Sequence, residues 1–229
     1  MLIHPWDAPT DDAEWQEWLT THDFGQLAAN GSAGEPPWVQ PLHFAYDPAR
    51  HEALTHLARP NPIWPTLLDR PTVLLSVVDD YTFIPGPWQA EVDQPPEHGV
   101  PTSFYAAVQL VCTAHVVDDP DAKAELLQRQ VTHFQPDGGS APVVAGAAPY
   151  GRQLSGIRGL RLEVHEVRAK FKYGGKRSET VQHRISERLA ERAGPGDAAA
   201  RRHQQRRLAA ASGPATAPAP STGQTTGQR

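Results

Sequence analysis

The chain has 229 residues, a formal net charge of −5 and a single cysteine, Cys112. That length suits one domain of ordinary size with its own core. One cysteine excludes an intrachain disulfide and a cysteine-rich metal site, and the acidic balance argues against a general nucleic-acid binder.

The 23 prolines and 18 glycines predict many turns and some chain that does not fold. The opening MLIHPWDAPTDD has no basic segment ahead of a long apolar run, and no transmembrane stretch is apparent. A cytoplasmic soluble protein is expected.

Residues 10–22, TDDAEWQEWLTTH, predict a helix. Thr10 or Asp11 can cap it, Glu14 completes a capping box with Asp11, and Trp15, Trp18, Leu19 and His22 share a face. Short apolar segments follow. WVQPLHFAY (38–46), EALTHLA (52–58), TVLLSVV (72–78), YTFIP (81–85) and FYAAVQLVCTAHVV (104–117) read as neighbouring antiparallel strands joined by Pro/Gly/Asp turns. Helix competes with strand for 52–58. Asp119 as cap and Pro120 in the first turn open a helix whose buried face is Ala124, Leu127, Val131 and Phe134. A Gly/Ala/Pro loop leads to a further helix or turn near RQLSGIRG.

LRLEVHEVRAKFK (160–172) reads as a strand with a fault. Leu160, Leu162 and Val164 carry the apolar alternation, then Val167, Ala169 and Phe171 carry it one residue out of phase. A β-bulge near His165 and Glu166 accounts for the slip and sets Lys170 and Lys172 together, opposite Phe171. The turn after them offers glycine backbone at Gly174 and Gly175. Composition changes near residue 194, which divides the chain into a folded unit, 1–194, and an arginine-bearing, Ala/Pro/Gly-rich tail, 195–229, largely disordered. Residues 196–229 hold five arginines against one aspartate, so ARRHQQRRLAAA can form a helix against a partner.

These elements predict a mainly β fold, a small antiparallel barrel with peripheral helices. The dinucleotide glycine fingerprint, the Walker loop, HExxH and zinc-site histidine spacing are all missing, and Ser155 lacks a GxSxG context. The remaining chemical groups are few. His56 ends an apolar run against a rigid Arg59-Pro60-Asn61-Pro62 turn and Trp64. It is either a buried histidine satisfied locally or an axial metal ligand. Lys170 and Lys172 are either a solvated strand face or partners for phosphate or carboxylate. Ser103 and Tyr105 can supply hydroxyls to a ligand.

In order, HLARPNPIW, FIPGPW, VPTSFYAAVQ, VVDDP and KFKYGGKR resemble the PaiB-like family of FMN-binding negative transcriptional regulators, over residues 1–192. The resemblance implies a split β-barrel, FMN-binding split-barrel-like, that is a homodimer with its cofactor cleft at the subunit interface. Typical flavin-binding members have YISPSWY, VPTWNY and KLSQN where this chain has FIPGPWQ, VPTSFY and KYGGK. Together with HFQPDGG and LSGIRGLRLEV, the altered blocks resemble the heme-dependent piperazate synthase branch, which binds heme b.

By position in HLARPNP, that branch's proximal heme ligand maps onto His56. Trp64, Lys170 and Lys172 become candidate heme contacts, the lysines for the propionates, and Tyr105 and Ser103 candidates at the pocket wall. The implied reaction closes N5-hydroxy-L-ornithine to L-piperazate. Its α-amine attacks the hydroxylated nitrogen and water departs, with no external reductant. An FMN-binding oxidoreductase and a PaiB-like transcriptional regulator are the alternatives, the latter resting on the arginine tail.

Overall fold

A computed structural model describes residues 1–211. Its centre is a seven-stranded antiparallel sheet in the order β2-β1-β5-β6-β7-β4-β3. The strands are β1 (Phe24–Ala29), β2 (Trp38–His43), β3 (Ala45–Asp47), β4 (Glu52–Ala58), β5 (Thr72–Ile84), β6 (Thr102–Val117) and β7 (Ile157–Lys172). The sheet curls around its core without closing. The helices are α1 (Asp12–Leu19), α2 (Trp64–Asp69), α3 (Pro120–Phe134), α4 (Gly151–Ser155), α5 (Glu179–Arg192) and α6 (Asp197–Ala211).

The three long strands form the frame. Alternate residues of β6, from Phe104 through Ala106, Val108, Leu110 and Cys112 to Ala114, enter the core with Leu75 and Val77 of β5 and Leu160, Leu162 and Phe171 of β7. This is period-two burial of one sheet face. The phase slip read at His165 is real. Val111 pairs with Glu166 while Cys112 pairs with Val164, so His165 is the extra residue of a bulge. Asp11 caps α1 by accepting from the Glu14 amide, while Glu14 accepts from the Thr10 amide. Asp119 caps α3 through the amides of Asp121 and Ala122.

Several expectations need correction. Residues 72–78 and 81–85 are one strand, β5, and what looked like a turn at Asp79-Asp80 is a register irregularity within it. Residues 38–46 break at Phe44 into β2 and β3, whereas 52–58 is the strand that was expected, with no helix there. The β1 strand and helices α2 and α5 went unread. Of the face read for α3, Ala124 is buried and Leu127 and Val131 pack against Val143 and Leu154, whereas Phe134 is exposed; Lys123, Leu126 and Gln130 are buried as well.

The composition change at 195 does not end the packed structure. Residues 197–211 form α6, which packs on β5 and α5 with Ala200, His203 and Gln204 buried. The partner this helix was expected to need is the chain itself. Residues 212–229, expected to be disordered, lie outside the described residues. No helix among the described residues is long and apolar enough to cross a membrane.

Candidate functional site

Two separate clusters hold the residues singled out from the sequence. The first gathers at the C-terminal end of β7. Lys172 stands opposite Tyr105 and Lys170 opposite Ala107 on β6, so both lysines flank the Tyr105 ring, their ammonium nitrogens 5.7 and 5.8 Å from its centroid. Ser103 lies two residues from Tyr105 on the same face, paired with the exposed Phe83 of β5.

A cavity of about 450 Å³ opens beside them. Lys170, Lys172, Lys176 and Arg177 bring positive charge to it, Asp7 brings negative charge, and His4 and Trp6 stack at 4.6 Å along its wall. Lys170 Nζ donates to the Leu2 carbonyl at 2.9 Å and lies 3.7 Å from Asp7. Lys172 Nζ donates to Thr102 Oγ1 at 2.8 Å. Burial, and then the neighbouring Lys170 charge, lower the Lys172 pKa. The attraction of a bound anion would offset both effects. Gly174 makes the turn possible, since its φ is +81° and a Cβ there would press on Phe104. Lys176, Arg177 and the N-terminal arm were not anticipated. Their place in the cavity depends on where the chain's first residues return, which local pattern does not encode.

The second cluster lies on β4 under α3. His56 Nδ1 is 2.7 Å from Oε1 of Gln130, and Gln130 Nε2 donates to the Leu54 carbonyl at 3.1 Å. The His43 ring stands edge-on to His56 with centroids 5.3 Å apart, and Phe134 packs edge-on against His43 at 5.1 Å. Burial, and then the nearness of His56, lower the His43 pKa. Leu54, two residues before His56 on the same strand face, is buried, and His56 itself is partly covered. No group of three His, Cys, Asp or Glu side chains suited to a metal ion occurs among the described residues.

Trp64, expected as a cofactor contact, is only 2% exposed and belongs to the core. Its Nε1 donates to the Ala58 carbonyl, and the Arg158 guanidinium lies over its ring at 5.7 Å. It supports the end of β4 and presents no surface to a ligand. Gln130 was missed because a glutamine within an amphipathic helix reads as surface.

The two clusters do not meet within one chain. His56 pairs with Gly159 at the start of β7, whereas Lys170 and Lys172 lie near its end, roughly 35–45 Å of strand away. Each fits part of a cofactor. An imidazole with one nitrogen hydrogen-bonded suits an iron ligand. A cluster of lysines with an arginine suits propionates or a phosphate.

Residues 1–166 match a family described as "Putative FMN-binding domain". No curated protein sequence matches the chain. Among solved structures, the fold is similar to an FAD and heme binding protein from Mycobacterium smegmatis (19% identity, TM-score 0.56), with 72% of this chain and 73% of that one covered. It is also similar to a flavocytochrome from Azotobacter vinelandii (17% identity, TM-score 0.56; 74% and 71% covered). A structure described as a putative 5-nitroimidazole antibiotic resistance protein from Bacteroides thetaiotaomicron shares the fold as well (13% identity, TM-score 0.54; 71% and 84% covered). At these identities the likeness is one of fold.

Proposed function

The chain belongs to the "Putative FMN-binding domain" family and has a split-barrel fold, and from that premise we propose that it is a heme-dependent cyclase that converts N5-hydroxy-L-ornithine to L-piperazate. The observation that carries this reading is the hydrogen bond between His56 Nδ1 and Gln130. It leaves the other ring nitrogen, which makes no hydrogen bond among the described residues, as a candidate iron ligand. Bound heme would supply a Lewis acid able to polarise the substrate's N–O bond.

The protein's own share is binding and proton handling. His56 would hold the heme iron, and Lys170 and Lys172 would hold its carboxylates. The flexible substrate must be folded so that its α-amine approaches the hydroxylated nitrogen, a gain of proximity. This reading assigns the proton transfers to the hydroxyls of Ser103 and Tyr105, on the lysine face of the sheet. The net change is loss of one water, and no reductant is consumed.

One porphyrin cannot reach from His56 to Lys170 of the same chain. The reading therefore includes a homodimer in which the lysine cavity of one subunit faces His56 of the other. The open sheet face supports this, because Val78, Phe83, Phe24 and Val39 are exposed on it. An isologous two-fold contact across that face would bring opposite ends of β7 together.

A second reading, FMN binding by an oxidoreductase, is favoured by the same lysine cavity, since it suits a phosphate as well as a propionate. The test is to incubate hemin-reconstituted protein with N5-hydroxy-L-ornithine, without reductant, and to follow the product by mass. Formation of piperazate with loss of water supports the cyclase. A protein that takes up FMN, refuses hemin and leaves the substrate unchanged overturns it.

A further inference from the structure

Gln130 is the one polar residue of the buried face of α3 that points at His56. It is 2% exposed. A buried amide is costly unless both of its ends are bonded, and here both are. Nε2 donates to the Leu54 carbonyl at 3.1 Å, and Oε1 is 2.7 Å from His56 Nδ1.

The direction of this chain of bonds is determined. A main-chain carbonyl only accepts, so the amide nitrogen must face Leu54 and the amide oxygen must face His56. An amide oxygen also only accepts, so His56 Nδ1 must carry a hydrogen. In the neutral ring, Nε2 is then the lone-pair nitrogen. Leu54 and His56 lie on the same strand, two residues apart and on one face. The backbone of β4 thus orients the amide that orients a side chain of β4, with α3 supplying the link.

We infer that Gln130 is the positioning residue that locks His56 in its Nδ1–H tautomer and presents Nε2 as the iron-binding atom. This rests on the heme reading above and adds to it a named partner for the ligand. A donor hydrogen bond of this kind fixes ring orientation and raises ligand basicity, and its loss typically weakens metal affinity about 10–100-fold.

The first test needs no cofactor. In metal-free protein, at a pH where the ring is neutral, histidine nitrogen shifts should report His56 with hydrogen on Nδ1 and none on Nε2. A neutral ring with its hydrogen on Nε2 and none on Nδ1 would overturn the inference whatever the protein binds. The second test compares hemin binding and the ferric–ferrous midpoint potential in Gln130→Met, which can make neither bond, and Gln130→Glu, which keeps an acceptor for Nδ1. Gln130→Met should weaken hemin binding about 10–100-fold and raise the potential, while Gln130→Glu should restore most of the affinity. Wild-type affinity and potential in a folded Gln130→Met would reduce Gln130 to a packing residue and overturn the inference. His56→Ala separates the two claims. If it keeps the wild-type heme spectrum, the heme-ligand reading of His56 fails, and the role of Gln130 with it. If it loses heme while Gln130→Met behaves as wild type, only the role of Gln130 fails.

Discussion

At Asp80 the backbone turns left-handed, with φ 54°, in the irregularity that bends β5. A short polar side chain tolerates that conformation, and the bend aims the carboxylate at three donors. Trp18 Nε1 lies 2.8 Å away, His203 Nε2 2.7 Å and His22 Nε2 3.4 Å. Burial works against the charge of Asp80, but these donors outweigh it and hold the carboxyl well below the usual range. Burial likewise opposes a charged His22, yet Asp80 and the Trp18 carbonyl raise its pKa above 6.5.

The signs give opposite slopes. The Asp80 contribution is present above the unfolded carboxylate pKa of about 3.9 and is lost as pH falls through the depressed folded value. The His22 contribution is complete below 6.5 and fades as pH rises through its raised folded value. The His22 share of thermal stability should therefore fade from pH 6 to pH 9, so the gap between wild type and His22→Gln should narrow over that range. Asp80→Asn should cost about 2–4 kcal/mol at pH 6 in denaturant titrations, because it leaves histidine donors without their charged acceptor. At the other cluster, removing Lys170 or Lys172 should weaken binding of a propionate- or phosphate-bearing ligand roughly tenfold or more per lysine. Equilibrium titration with hemin and with FMN measures this, and unchanged affinity for both in Lys170→Ala and Lys172→Ala would end the anion role of that cavity.

Among the elements, α6 tests most sharply what composition can tell. Its buried residues are Asp197, Ala200, His203, Gln204 and Leu208, of which only Leu208 is a bulky apolar side chain, so the apolar signal is thin and the segment read as tail. What fixes it is tertiary. His203 stacks on Tyr173 at 4.5 Å, Arg206 pairs with Glu14 at 2.7 Å, and Arg207 donates to the carbonyls of Trp6 and Ala8. Two arginines that suggested a nucleic-acid contact are thus engaged within the fold. Gly196 starts the helix with φ +77°, and a Cβ there would collide with the Tyr81 carbonyl oxygen. Gly196→Ala should destabilise the protein by at least ~1 kcal/mol, seen as a lower denaturant midpoint. An unchanged midpoint would mean that α6 is not held against β5.

The contrast with β7 is instructive. Its bulge was legible because the slip in alternation is written in Val164, His165 and Val167, whereas the irregularity of β5 hides in Asp79-Asp80-Tyr81, which has the composition of a turn. Helix α5 did carry a signal, with Val181, Ile185 and Leu189 four residues apart, but its polar surroundings masked it. His56, Lys170, Lys172 and Tyr105 could be picked out by residue type and block order. Gln130 could not, because its role exists only where α3 crosses β4.

For the whole molecule, the proposed heme site needs His56 and the lysine pair from different subunits, because the two lie far apart along β7. Mixing His56→Ala subunits with Lys170→Ala/Lys172→Ala subunits should restore hemin binding to heterodimers, at one site each. In such a pair one cleft draws its histidine and its lysines from the unaltered halves. Sites contained in one chain would show no such rescue.

The central claim, histidine-ligated heme in an FMN-binding-type fold, is tested most directly by the absorption spectrum of the purified protein before and after hemin is added, with His56→Ala alongside. We predict a sharp Soret band in the wild type that weakens or shifts in the variant. A bound flavin spectrum with no uptake of hemin would contradict the account and return the protein to flavin chemistry.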